Sequence, residues 1–167
     1  MTRLRALKYI AIFMASLLRT ALLLVGYFFA TASVNIVAYG AKGTPCTEVP
    51  EEFQRIKKSL EDETFIGTQF SYEALEEAEA YALITYTLRL SNQCLVPIDM
   101  IEIQVVPDPL DVLQMGETQV HSLAPKTQGD FSATILVPKN SHSVRELIVT
   151  YYVWGVSFDI RATYSGK

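Results

Sequence analysis

Two kinds of hydrophobic pattern divide this chain. From residue 64 onward apolar and polar positions alternate or form short runs closed by turn residues, whereas the first forty residues are apolar with few breaks. Alternation is clearest at the centre of the stretch 67–106. There Leu83, Thr85, Thr87 and Arg89 point one way and Ile84, Tyr86, Leu88 and Leu90 the other; Ile101, Ile103 and Val105 likewise oppose Glu102 and Gln104. The runs 81–90 and 98–106, joined through Ser91-Asn92-Gln93, Cys94 and Pro97, predict a β-hairpin or the corner of an antiparallel sandwich. The same grammar predicts strands at 64–71, 79–91, 98–106, 112–115, 117–123, 129–137, 143–153 and 156–164. Turn chemistry separates them: Pro107-Asp108-Pro109, Met115-Gly116-Glu117, the run 125–129, and Pro138-Lys139-Asn140-Ser141. The fold expected is mainly β, an antiparallel two-sheet sandwich of immunoglobulin or fibronectin type, with a closed barrel as the alternative.

Ahead of the strands, Phe53, Ile56 and Leu60 recur at i, i+3 and i+7, one face of a helix ending near Glu61. Pro50 suits its first turn, Thr47 or a neighbour its cap, and Glu51 and Glu52 the positive end of its dipole. It reads as a stalk helix laid against the domain in preference to a partner-binding helix. Glu73, Glu76, Glu77 and Glu79 read as a solvated loop or edge, since their spacing matches no calcium loop.

The amino-terminal region has two readings. Residues 20–41 hold no charge over 22 positions, close to the ~20 that cross the hydrocarbon core. Arg3, Arg5 and Lys8 precede this run and Arg19 stands at its start, where it snorkels to the cytoplasmic interface. A span over 9–30 would instead carry Arg19 near mid-membrane, at about 2.5–3.5 kcal/mol on insertion scales. The other reading is a cleaved secretory signal, with basic residues first, an apolar core, and a small-residue site at Ala30-Thr31-Ala32. The anchor is preferred because apolar residues extend on both sides of a 7–15-residue signal core. The expected layout is therefore an anchor over 1–41, a linker with the short helix over 42–63, and an extracytoplasmic sandwich over 64–167.

Charge orients this layout. Four of 14 basic residues lie before residue 20, and all 18 acidic residues lie after residue 41. The positive-inside rule keeps the amino terminus in the cytoplasm and puts the remainder outside the cell membrane. That remainder carries 10 basic against 18 acidic residues, which argues against nucleic acid as a partner. The whole chain of 167 residues suits one domain plus an appendage.

Candidate chemistry is sparse. Cys46 and Cys94 are expected to form a disulfide if both lie in an oxidising compartment, the alternative being two thiols. There is no C-x-x-C, His121 and His142 are far apart, and Cys94 lacks the nearby His of a copper site, so no metal or cofactor is expected. No G-x-S-x-G elbow occurs, and nothing brings Asp130 and Asp159 together as an acid/base pair. Tyr151, Tyr152, Trp154 and Phe158 around Gly155 read as core, with Trp154, Tyr152, Ile103 and Leu88 its expected members.

The order of a long strand ending in Ser91-Asn92-Gln93, then Pro97 and the ladder Ile98, Met100, Ile101, Ile103 resembles the late-embryogenesis-abundant type-2 fold, the water-stress and hypersensitive-response domain. Gly116, the turn Leu123-Ala124-Pro125 and the closing pair around Tyr152–Val156 extend the resemblance over about residues 64–165. Gln93 and Cys94 stand where that family usually has Pro and Asn. The resemblance implies a small sandwich without known catalytic residues, in an interaction, structural or stress-protective role, sometimes tethered to membranes. The function expected is thus a non-enzymatic module anchored in the lipid bilayer. Two alternatives stand beside it: a small accessory subunit of a membrane enzyme complex, through a membrane protein partner, and a secreted protein after cleavage near Ala32. A homo-oligomer is compatible with the first reading.

Overall fold

The computed structural model describes residues 2–30 and 33–164, with side chains over 7–29 and 33–164. It divides into two units, Met1–Ser33 and Val34–Lys167. The first holds one helix, α1 (Thr2–Ala30). Within α1, Leu7–Phe29 is 23 residues long and apolar enough to cross a membrane. Its apolar side chains point all round the axis and are exposed, as Ile10, Phe13, Leu17, Leu22 and Leu24 illustrate.

The expected span 20–41 does not form as one helix. The helix ends at Ala30, and Val34–Pro45 is a strand, β1. Val34, Ile36 and Val37 are β-branched, and Asn35, Gly40 and Gly43 are poor helix formers, so this uncharged stretch suits a strand better than a helix. Arg19 becomes the thirteenth of the 23 apolar-helix residues, near its middle and not at its edge. The sandwich accordingly begins at Val34 and not at residue 64.

The remaining elements are α2 (Pro50–Glu61), β2 (Gly67–Gln69), β3 (Tyr81–Asn92), β4 (Ile98–Val105), β5 (Leu113–Met115), β6 (His121–Leu123), β7 (Gln128–Pro138), β8 (Arg145–Val153) and β9 (Val156–Tyr164). They form two antiparallel sheets, ordered β1-β3-β7-β5-β2 and β6-β4-β8-β9. The sandwich expectation holds, and β3 and β4 prove to be a corner between sheets and not a hairpin. Buried Asn92 makes that corner: its amide donates to the carbonyls of Val96, Leu123 and Ala124 at 3.0–3.1 Å, and its Oδ1 accepts the Cys94 N–H at 2.8 Å.

Register explains the core. Ile84, Tyr86 and Leu88 of β3 lie beside Ile135, Ala133 and Phe131 of β7, and all are buried. Ile101, Ile103 and Val105 of β4 and Leu147, Val149, Tyr151 and Val153 of β8 are buried in the second sheet. On the opposite face of the first sheet, polar pairs cross the strands: Thr85 with Thr134 at 3.0 Å, and Arg89 with Asp130 through two bonds of 2.7 and 2.8 Å. That face turns apolar toward one end, where Leu83, Leu136 and Leu113 are neighbours in register.

Helix α2 covers them. Phe53 and Ile56 form a second small core with Cys46, Leu83, Val112, Leu113 and Leu136, and Phe53 stacks on Tyr81 at 5.8 Å. The helix thus lies against the domain as expected, but as an insertion between β1 and β2 and not as a stalk leading to the sandwich. Val49, with no side-chain cap, stands at its amino end in place of Thr47.

Trp154 is the second correction. It is 52% exposed, whereas Ile103 and Leu88 are buried and Tyr152 is half-buried. β8 and β9 pair through Val153 and Val156, so Trp154-Gly155 is the two-residue turn of a hairpin, outside the core. Trp154→Ala is therefore expected to shift the unfolding midpoint of the full chain in detergent by no more than an ordinary surface substitution, about 0.5 kcal/mol.

Candidate functional site

The densest polar assembly in the sandwich surrounds Arg145, whose side chain is 3% exposed. Its Nε and Nη2 donate to the two oxygens of Asp111 at 2.9 and 2.6 Å, a bidentate fork. Nη1 donates to the carbonyls of His142 and Val144 at 3.0 and 2.7 Å and lies 3.2 Å from an Asp108 oxygen. Asp111 also accepts the Asp108 N–H at 2.8 Å, folding the loop after β4 around its own carboxylate. The hydrogen bonds from Arg145 to Asp111 are the main reason the guanidinium pKa is raised. With its donors directed at a carboxylate and two carbonyls, this cluster is a brace tying the loop 106–112 to the start of β8. Its central pair, Asp111 and Arg145, is 34 residues apart, so no local spacing announces it.

The Tyr86 hydroxyl donates to the Ser143 carbonyl at 3.0 Å beside this brace. Burial pushes the Tyr86 phenol up to about 12, with Arg145 pulling the other way. Burial, with Glu52 nearby, likewise raises the Cys46 thiol from 9.0 to about 11. Both groups hold their protons longer folded than unfolded, so the stability they contribute is complete below the unfolded values and is lost as pH rises through the folded ones. The melting temperature of the full chain in detergent is expected to fall between about pH 9 and 12, and Tyr86→Phe to flatten the upper part of that fall. An identical slope in Tyr86→Phe would contradict the assignment.

A cleft of about 350 Å³ opens between the sheets, lined by Gly67, Glu102, Gln104, Gln114, Glu117 and Ser132, among others. Its wall is the outer edge of β4. β6 pairs with that edge only at Ile98 and Ile101, and further along the Gln114 side chain takes a strand's place: Nε2 donates to the Ile103 carbonyl at 2.8 Å, and Oε1 accepts the Val105 N–H at 2.9 Å. The far wall needs Gly67, whose φ is +147° and whose added Cβ would stand 2.2 Å from the Gln114 carbonyl oxygen. The Gln114 amide thus satisfies two backbone groups of this strand edge, and the carboxylates of Glu102 and Glu117 line the cleft beside it.

The residues singled out from sequence do not converge. Cys46 and Cys94 are both buried thiols and form no disulfide. β1 and β3 run antiparallel with Val34 beside Asn92 and Pro45 beside Ala82, so the two cysteines sit at opposite ends of β1. The separation is on the order of 30 Å at about 3.3 Å per residue, far beyond disulfide reach. His121 pairs with Glu117 at 2.8 Å, whereas His142 lies 3.2 Å from Asp108 at the brace. Asp130 serves Arg89 in one sheet, which holds its carboxyl below the usual carboxylate value, and Asp159 accepts from Thr150 at 2.9 Å in the other. Among the described residues, no three His, Cys, Asp or Glu side chains are grouped to hold a metal. Lys8 and Arg19 lie on α1; the side chains of Arg3 and Arg5, and residues 31 and 32 of the Ala30-Thr31-Ala32 motif, fall outside the described residues.

No family model and no curated protein matches the chain.

Proposed function

We propose that the chain is a single-pass membrane protein whose β-sandwich works as a non-catalytic interaction or structural module outside the cytoplasm. One observation carries the reading: a 23-residue apolar helix stands four residues before the first strand of a folded sandwich. Arg3, Arg5 and Lys8 at its start, against Lys42 alone in the twenty residues beyond it, favour a cytoplasmic amino terminus. The cleft along β4, concave and lined by Glu102, Gln104, Gln114 and Glu117, is the candidate contact site. The resemblance to late-embryogenesis-abundant type-2 domains adds a stress-protective role to the same reading.

Arg19 supports a second reading, the accessory subunit. A guanidinium at the middle of a lone span is costly and is relieved by a carboxylate or polar group on a neighbouring helix. Native mass after extraction in mild detergent tests the choice. A monomer or homo-oligomer supports the module; stoichiometric co-migration with another membrane protein, lost in Arg19→Leu, replaces it with the subunit reading. Cleavage near Ala32, releasing Ser33–Lys167, remains the competing fate that an intact amino terminus excludes.

A further inference from the structure

We propose that the end of the sandwich where the chain enters at Val34 seats on the phospholipid interface, with Trp154 inserted among the headgroups. This inference rests on the anchored reading of α1. Phe29 and Val34 are five residues apart, so at most about 18 Å of chain joins the span to the first strand. Whichever way the tether runs, the Val34 end of the sandwich stays near the surface in which the span ends.

That end combines exposed apolar side chains with strained turns. Val34 pairs with Asn92, and the β3–β4 corner, the turn before β7 and the β8–β9 hairpin share this end. Leu95, Met100, Trp154 and Val156 are 57%, 55%, 52% and 46% exposed there. Among the described residues four non-glycine positions have positive φ, and three of them lie here: Met100 at 51°, Lys126 at 58° and Trp154 at 50°. Trp154 is the most telling. The first position of such a two-residue turn favours Asn, Asp or Gly, and a bulky aromatic there carries backbone strain that core packing does not repay. An exposed indole held at a tip by a strained turn is the arrangement that suits the water–lipid interface, where aromatic rings of mixed polarity concentrate.

Charge points the same way. The segment 46–80, which follows Pro45 at the opposite end of β1, holds ten acidic and three basic residues. The Val34 end has Asp99 and Lys126, and the Lys126 ammonium donates to the Gln93 carbonyl beside Leu95. An anionic membrane surface therefore repels the far end and accepts the near one, which orients the sandwich tip-down.

Trp154 is the only tryptophan in the chain, so it reports its own position. The full-length protein is reconstituted in vesicles of phosphatidylcholine and phosphatidylglycerol, with and without lipid brominated near the headgroup end of the acyl chains. Flotation at alkaline pH, run on the same sample, shows whether α1 is inserted. The expected result is flotation together with a blue-shifted Trp154 emission relative to detergent, most of which brominated lipid quenches. Leu95→Glu, at an exposed position, should float equally and lose much of the quenching. Flotation without quenching overturns the seating and leaves the anchor standing, including the case in which the tip faces a protein partner instead. Failure to float overturns both.

Discussion

Asp111→Ala should cost the sandwich about 3–5 kcal/mol, because it strips the buried Arg145 guanidinium of its bidentate partner and leaves only the half-exposed Asp108 carboxylate, 3.2 Å from Nη1, to face it. The side chains of Asp111 and Arg145 are 0% and 3% exposed, so water cannot replace the lost carboxylate without opening the loop 106–112. Two hydrogen bonds to Arg145 and the one from the Asp108 N–H vanish together. Urea unfolding of the full chain in detergent, followed by circular dichroism, measures the loss. Asp111→Leu combined with Arg145→Met should recover most of it, since replacing both partners by apolar groups removes the stranded charge. A loss of about 0.5 kcal/mol in Asp111→Ala, the size of a surface change, would contradict the brace.

Phe53→Ala should be comparably damaging, at about 3–5 kcal/mol. Phe53 is fully buried, stacks on Tyr81, and is the largest side chain that α2 lays over Leu83, Leu113 and Leu136. Removing it leaves a cavity walled by two rigid elements, the sheet and the helix, which cannot collapse to fill it. If α2 were a stalk outside the fold, the same change would alter unfolding hardly at all. Hydrogen exchange adds a local readout: amides of α2 should lose protection before those of β3 and β7 in the variant.

The longer strands β3, β4, β7, β8 and β9 were legible because each carries an alternation or a β-branched run closed by Pro, Gly or Asn; the residues of β3 and β4 expected to face one way are buried, and Leu83 on the opposite face of β3 is buried as well, under α2. β1 was not legible, for a physical reason. It is an edge strand on which Val37 and Tyr39 are exposed, so it has no apolar-polar alternation, and its first eight residues continue the uncharged run that begins at Thr20 in α1. The size of Trp154 predicts burial, but the turn pair Trp154-Gly155 between Val153 and Val156 is the better signal, a glycine at the second position of a tight hairpin. The brace of Asp108, Asp111, His142 and Arg145 and the Gln114 bridge depend on loops meeting across the sandwich, and contacts that distant leave no trace in spacing. Cys46 and Cys94 show the converse: two cysteines in a chain expected outside the cell invite pairing, and the register of β1 on β3 forbids it.

An anchored sandwich requires that α1 remain attached to it in the bilayer. Intact mass of the native protein, taken from both the soluble fraction and the alkali-resistant membrane pellet, tests it most directly. A single species in the pellet that retains Leu7–Phe29 is expected. A soluble species beginning at Ser33 would contradict it, and would make the uncharged run ahead of Ala30 a secretory signal instead of an anchor.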